Sequence, residues 1–71
     1  MRVVSQNEDY SFDFDRTIFS RQNNLIYARV GNDNKVIGQY PNADRGKEVF
    51  IDMHKFAASF NGASQYVLPE E

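Results

Sequence analysis

The sequence contains no cysteine among its 71 residues. This absence excludes disulfide bridges and thiolate metal ligands, so packing or association with another chain must stabilise the small core. A chain without cysteine suits a reducing compartment, and we expect the protein to be cytoplasmic. We also expect no cofactor and no bound metal.

Long apolar runs are lacking as well. The first ten residues, MRVVSQNEDY, hold one basic residue with no apolar stretch behind it, unlike a secretory signal. No other stretch approaches the length of a membrane span. We therefore expect one small soluble domain over residues 1–71 that makes no contact with a membrane.

The chain has no excess of positive charge. Eight basic residues are dispersed among ten acidic ones, which gives a formal net charge of −2. This balance lacks the basic footprint that binding to a phosphate backbone needs, so nucleic acid is a disfavoured partner. Aromatic side chains on a sheet would stack on single-stranded bases, but Asp13 and Asp15 nearby would repel the phosphates.

The first half of the chain contains stretches in which apolar and polar residues alternate. Tyr10, Phe12 and Phe14 alternate with polar residues, which predicts a half-buried strand. Two turn sequences, NN at 23–24 and GNDN at 31–34, separate the segments LIYARV and KVIGQY. Residues 16–40 are therefore predicted to form a three-stranded meander, with short strands at 2–6 and 65–68.

The apolar spacing changes after Tyr40 and predicts a helix over residues 42–61. Pro41 ends the preceding strand, Asn42 is a suitable helix cap, and Asn61 with Gly62 is a standard helix stop. Gly46 is expected to cost about 1 kcal/mol relative to alanine. The predicted apolar stripe of the helix consists of Val49, Phe50, Met53, Phe56, Ala57 and Phe60.

These elements predict an α+β fold: an antiparallel sheet of four to five strands with one amphipathic helix packed on one face. The helix stripe is expected to form the core with residues from one face of the sheet and from the last strand. Those residues are Val4, Ile26, Ala28, Val30, Val36 and the segment 66–68.

The stretch DFDRT, residues 13–17, has the Asp-x-Asp-x-Thr form of the haloacid dehalogenase phosphatases. In those enzymes the two aspartates end a central parallel strand that leads into a crossover helix. Here the preceding residues alternate, and more strand and an asparagine hairpin follow. We therefore predict that Asp13 and Asp15 lie on the solvated face of a strand and that the protein is not an enzyme.

A calcium loop over residues 13–24 is excluded because Ile18 stands where that loop needs glycine and Asn24 where it needs glutamate. The only histidine, His54, falls off the apolar stripe of the helix and has no evident catalytic partner. We expect it to occupy a solvated helix position.

One helix covers only one face of a sheet, yet apolar residues occur in both alternation sets of the predicted strands. Some of the aromatic residues should therefore stay partly exposed, which often marks a contact surface. Scattered single exposures without a partner are the alternative. The candidate binding surface, on the exposed sheet face, consists of Tyr10, Phe12, Phe14, Leu25 and Tyr27.

The chain resembles a group of small proteins, without an assigned activity, that prophages and integrative mobile elements of Gram-positive bacteria encode. The similar stretches are MRVVSQ, NNLIYAR, GQYPNADRGKEVFIDM and QYVLPEE. Pro41 and Gly46 depart from the group, which usually favours helix initiation there. The resemblance implies a β-rich domain with one packed helix, the cytoplasm of a bacterial host and a mobile-element origin. It implies no catalytic residues.

The leading hypothesis is a non-enzymatic binding module of a phage or mobile element that acts by protein–protein contact on a host or phage protein. Inhibition of a host defence system is one purpose that fits. The alternative is a sponge-like oligomer that binds a small ligand or nucleotide in a dimer interface, so a homodimer stays open. A cluster of basic side chains on one side would favour this alternative: Arg2, Arg16, Arg21 and Arg29.

Overall fold

The computed structural model describes residues 1–59 and 65–71. In chain order its elements are β1 (Arg2–Val4), β2 (Ser11–Asp13), a 3-10 turn (Phe14–Arg16), β3 (Phe19–Gln22), β4 (Leu25–Val30), β5 (Asp33–Gln39), α1 (Ala43–Ala57) and β6 (Gln65–Val67). Within these ranges the strands form two three-stranded sheets, in the orders β2–β1–β6 and β3–β4–β5.

The α+β class is confirmed, but the prediction of one antiparallel sheet with four to five strands is wrong. β1 is the central strand of the first sheet, antiparallel to β2 and parallel to β6. Its pairing of Arg2 with Gln65 joins the two ends of the chain. Such long-range pairing has no local sequence signal, whereas a hairpin is indicated by its turn residues.

The meander predicted for residues 16–40 corresponds to the second sheet. β4 covers the segment LIYARV and pairs antiparallel with β3 and β5. The two turns need backbone conformations with positive φ, and Asn23 (φ 55°) and Gly31 (φ 62°) provide them.

The predicted helix begins where expected and ends earlier. Asn42 caps α1, because its side-chain oxygen accepts a hydrogen bond from the backbone N–H of Arg45 at 2.8 Å. α1 ends at Ala57, and the predicted stop at Asn61 and Gly62 lies outside the described residues. No helix in the described ranges is both long and apolar enough to cross a bilayer.

The core lies between α1, the first sheet and one face of the second sheet. This face carries Ile26 and Ala28, and we call it the inner face. Val49 and Met53 of α1 are buried with Ile26 and Ala28 of β4, as predicted. Phe50, Ala57 and Val4 are half-buried, and Phe60 lies outside the described residues. Tyr66 and Leu68 of the predicted segment 66–68 are also buried, and the remaining buried apolar side chains of the described residues are Val3, Ile37 and Tyr40.

Four predicted core residues are exposed, so these assignments are wrong: Val30, Val36, Phe56 and Val67. A β-bulge at Ile26/Tyr27 shifts the alternation of β5, so that Ile37 is buried in place of Val36. Val30 lies at the hairpin tip, away from α1. The ring of Phe56 packs against Tyr66 at 5.2 Å.

Gly46 fixes the position of α1 on the second sheet. A Cβ at this residue would lie 3.0 Å from the carbonyl oxygen of Asn23 and 3.1 Å from the Cα of Asn24. The first turns of α1 therefore press on the β3–β4 turn, and only glycine allows this approach. The β4–β5 turn at Gly31 lies at the opposite end of β4 from this contact.

Candidate functional site

The five residues of the predicted binding surface lie in two separate places. Tyr10 is 46% exposed, and Phe12 and Phe14 are half-buried beside it along the chain. Leu25 and Tyr27 are half-buried on β4, where they alternate with buried Ile26 and Ala28 and so point to the opposite, outer face. The five residues therefore do not share one sheet face.

The aromatic side chains of β2 and the 3-10 turn connect the two sheets. Phe14 stacks on Phe19 of β3 with ring centroids 5.6 Å apart, and Phe12 meets the same ring edge-on at 6.4 Å. Phe12, Phe14 and Phe19 all pack against the core. These contacts hold β2 below the inner face of the second sheet and leave its N-terminal neighbour, Tyr10, at the rim.

A cleft forms between Tyr10 and the tip of the β4–β5 hairpin. It has a volume of about 460 Å³, and we call it the tip cleft. Val30 and Asp33 pair across the hairpin next to Gly31, which brings both residues to its edge. The tip cleft is lined by Tyr10, Phe12, Val30, Asp33, Asn34 and Lys35.

Charged groups border the apolar part of the tip cleft. The ammonium group of Lys35 lies 4.0 Å from the ring centroid of Tyr10, a cation–π contact. Neither Asp33 nor Lys35 takes part in a salt bridge within residues 1–59 and 65–71. Both charges are therefore available to a binding partner.

A second groove, of about 440 Å³, runs along α1 and differs in chemistry from the tip cleft. Four of its polar side chains already have partners: the hydroxyl of Tyr66 donates to Asp52 at 2.7 Å, and Arg45 bonds Glu48 and the main-chain oxygen of Glu71. Burial, helped by the hydrogen bond to Asp52, raises the pKa of Tyr66. The volumes are alike, but among the described residues the tip cleft has two exposed large apolar side chains, Tyr10 and Val30, and the groove along α1 has one, Ile51, which makes the tip cleft the better candidate.

The prediction that Asp13 and Asp15 both lie on the solvated face of a strand is wrong for Asp15, which lies in the 3-10 turn that follows β2. Asp13 ends β2, pairs with Arg2 of β1, and accepts a hydrogen bond from the backbone N–H of Asp15 at 3.1 Å. A 3-10 turn follows, in place of the crossover helix of the phosphatase motif. The structure thus uses the Asp13 side chain to cap a turn.

His54 is exposed on α1, as predicted, and contacts two aromatic rings. Its Nδ1 atom lies 2.8 Å from the carbonyl oxygen of Phe50. The imidazole ring is 4.5 Å from the ring of Phe50 and 5.4 Å from the ring of Phe14. These contacts link α1 to the 3-10 turn.

The four arginines of the ligand-binding alternative are not gathered on one side. Arg21 pairs with Ile26 and shares the inner face, whereas Arg29, three positions beyond Ile26 on β4, belongs to the outer face. Arg2 donates to the side-chain and backbone oxygens of Ser11, and Arg16 lies 3.8 Å from the carboxylate of Asp13. The arrangement offers no single basic pocket.

Comparison with known proteins finds no matching family model, no match among curated proteins and no match among solved structures.

Sequence reasoning missed four of the six residues that line the tip cleft: Val30, Asp33, Asn34 and Lys35. Val30 was assigned to the core because it alternates with Ala28. The signal that identifies its position is the GNDN turn directly after it, which places Val30 at a hairpin tip. α1 begins just after the C-terminal end of β5 and covers that end of the sheet, which leaves the hairpin tip with Val30 uncovered.

Proposed function

We propose that the protein is a non-enzymatic binding module that docks on another protein through the tip cleft. The observation that carries this proposal is a pair of exposed apolar side chains lining one concavity: Tyr10 is 46% and Val30 is 50% exposed. Grouped apolar exposure of this kind is a feature of protein contact sites, in contrast to scattered single exposures.

The apolar and the charged residues that line the tip cleft have different proposed roles. Tyr10 and Val30 would bury apolar area against a side chain of the partner, and tyrosine is among the residues enriched at binding hot spots. Asp33 and Lys35 lie at the rim, where charges mainly steer association and select the partner. Phe12 is half-buried and forms the floor, because it is held against Phe19.

The proposed setting is a phage or mobile element, with a host or phage protein as the partner and inhibition of a host defence system as one purpose. This part rests on the resemblance of the sequence stretches given above. Mimicry of nucleic acid contributes little to it, because a net charge of −2 is too small to attract a basic surface strongly.

A pull-down from lysate of the bacterial host, followed by mass spectrometry, tests the proposal. Wild-type protein is compared with Tyr10→Ser and Val30→Ser, and Val36→Ser is the matched control. Val36 is 48% exposed, on the same hairpin, but belongs to the outer face with Tyr27. We expect one protein that wild type and Val36→Ser retain and that both cleft variants lose.

Two outcomes would contradict the proposal. Loss of the captured protein with Val36→Ser or Tyr27→Ser, but not with the cleft variants, would assign binding to the outer face. An empty pull-down from a folded wild-type protein, combined with thermal stabilisation by a nucleotide or other small molecule, would favour the ligand-binding alternative.

A further inference from the structure

The outer edge of β5 is closed at its C-terminal end by a single residue, Gln6. The backbone N–H of Gln6 donates to the carbonyl oxygen of Ile37 at 2.8 Å. Its side chain accepts from the N–H of Gln39 at 2.8 Å and donates to the carbonyl oxygen of Gln39 at 2.9 Å. Gln6 thus makes the hydrogen bonds that a neighbouring strand would make.

The N-terminal end of the same edge is open at Asn34. The N–H of Arg29 donates to the carbonyl oxygen of Ile18, so the backbone of Arg29 faces β3 and not β5. Asn34 lies opposite Arg29, which makes the two a non-hydrogen-bonded pair. The N–H and C=O of Asn34 therefore point away from β4, and the described residues provide no partner for them.

Two opposite charges flank this open position. Asp33 and Lys35 are the neighbours of Asn34, and both project to the inner face, where they line the tip cleft. In an antiparallel pair of identical strands centred on Asn34, Asp33 of one copy lies directly opposite Lys35 of the other. The edge is therefore complementary to itself in charge.

We propose that two copies of the chain associate through this edge, with their β5 strands antiparallel about a two-fold axis at Asn34. The two Asn34 residues exchange a pair of backbone hydrogen bonds, and two Asp33–Lys35 ion pairs flank them on one face. The second sheets of the two copies then form one continuous sheet of six strands. Its open edge is protected, as free edges in natural proteins usually are.

This interface shares Asp33, Asn34 and Lys35 with the tip cleft, so self-association and the docking of a partner compete for the same edge. A strand added at an edge lies in the plane of the sheet, and a two-fold axis perpendicular to that plane leaves both inner faces on the same side. Tyr10 and Val30 of each copy take no part in the strand pairing. A chain this small also gains from association, because its own core is limited.

Charge exchange at the edge tests the pairing in the full chain. Asp33→Lys places a second lysine opposite Lys35, and Lys35→Asp places two aspartates opposite each other, so each variant turns two attractive contacts into repulsive ones. We expect each variant alone to self-associate about tenfold more weakly than wild type. An equimolar mixture of the two variants restores complementarity, and we expect it to form a heterodimer of wild-type strength.

Sedimentation velocity or light scattering over a concentration series gives the dissociation constants, and circular dichroism verifies folding. Asp15→Lys and Lys47→Asp make the same charge changes at exposed positions away from β5, and they should leave association unchanged. Asn34→Pro is a second probe: it removes the outward N–H without affecting the β4–β5 ladder, and we expect a folded monomer. A wild-type monomer at every concentration would overturn the proposal, as would a dimer that neither charge variant weakens.

Discussion

The two ends of the β4–β5 hairpin differ in packing and in the hydrogen bonding of the sheet edge. At the end near Leu25 and Gln39, α1 presses on the β3–β4 turn, and Gln6 closes the sheet edge. At the tip, Val30 and Asp33 border an open cleft and the edge at Asn34 lacks a partner among the described residues. The same pair of strands therefore serves stability at one end and offers a contact surface at the other.

At the end near Gln39, the polar groups have hydrogen-bond partners. Besides its bonds to Gln39, the side chain of Gln6 donates to the carbonyl oxygens of Pro69 and Glu70, at 3.2 and 2.6 Å. The hydroxyl of Tyr40 donates to the same Pro69 oxygen at 3.0 Å. Each of these hydrogen bonds contributes modestly to stability, and together they tie the C-terminal segment to both sheets.

The largest expected effect on stability comes from the core beneath the closed end. Met53 is fully buried, and Met53→Ala should lower the free energy of unfolding by about 2–5 kcal/mol because it leaves a cavity. Ile51→Ala, on the exposed side of the same helix, is the control and should change it by less than about 1 kcal/mol. Denaturant unfolding measures both, and equal losses would contradict the packing described for α1.

Gln6→Ala should have the next largest effect, about 1–2 kcal/mol, because it removes the side-chain hydrogen bonds to Gln39, Pro69 and Glu70. Gln22→Ala, at the exposed end of β3, is the matched control and should be nearly neutral. Chemical denaturation gives the difference. An unchanged free energy of unfolding in Gln6→Ala would show that water replaces the side chain. The Gln39 end of the β5 edge would then be as open as the Asn34 end.

Gly46→Ala distinguishes helix propensity from packing. Alanine favours a helix over glycine by about 1 kcal/mol, but its Cβ would meet backbone atoms of Asn23 and Asn24. Because a backbone neighbour yields little, we expect a net destabilisation of about 1 kcal/mol. A more stable Gly46→Ala variant would contradict the close approach of α1 to the turn.

The smallest expected effect is a loss of stability in alkali, which is absent at neutral pH. Burial raises the pKa of Tyr40 from 10.0 to about 12, and the pKa of Tyr66 is raised as well. Both hydroxyls ionise more readily in the unfolded chain, so stability is complete below pH 10 and falls as the pH rises towards 12. Thermal unfolding in this pH range should show the fall, and Tyr66→Phe should reduce its slope. An unchanged slope would contradict the buried role of Tyr66.

Local signals were sufficient for the second sheet and for the start of the helix. Asn23 and Gly31 mark turns by their tolerance of positive φ, and Asn42 marks a cap, so the positions of β4 and α1 followed from the sequence. The pairing of β1 with β6 did not, because nothing in RVV or QYV specifies a partner so distant in the chain.

The candidate site was only half predictable for a related reason. Tyr10 and Phe12 follow from simple alternation, but the bulge at Ile26/Tyr27 exchanged Val36 and Ile37 between the faces of β5. The exposure of Val30 depends on where α1 lies over the sheet. That position is set by the contact of Gly46 with the β3–β4 turn, which a pattern of single residues does not contain.

Hydrogen–deuterium exchange is the most direct test of the claim that the tip cleft binds a protein. The chain is compared with and without its captured partner, at equal chain concentration. We expect slower amide exchange at residues 10–12 and 30–35 in the complex, with little change along α1. Protection of residues 48–55 with unchanged exchange at the hairpin tip would contradict the account and assign binding to the helix.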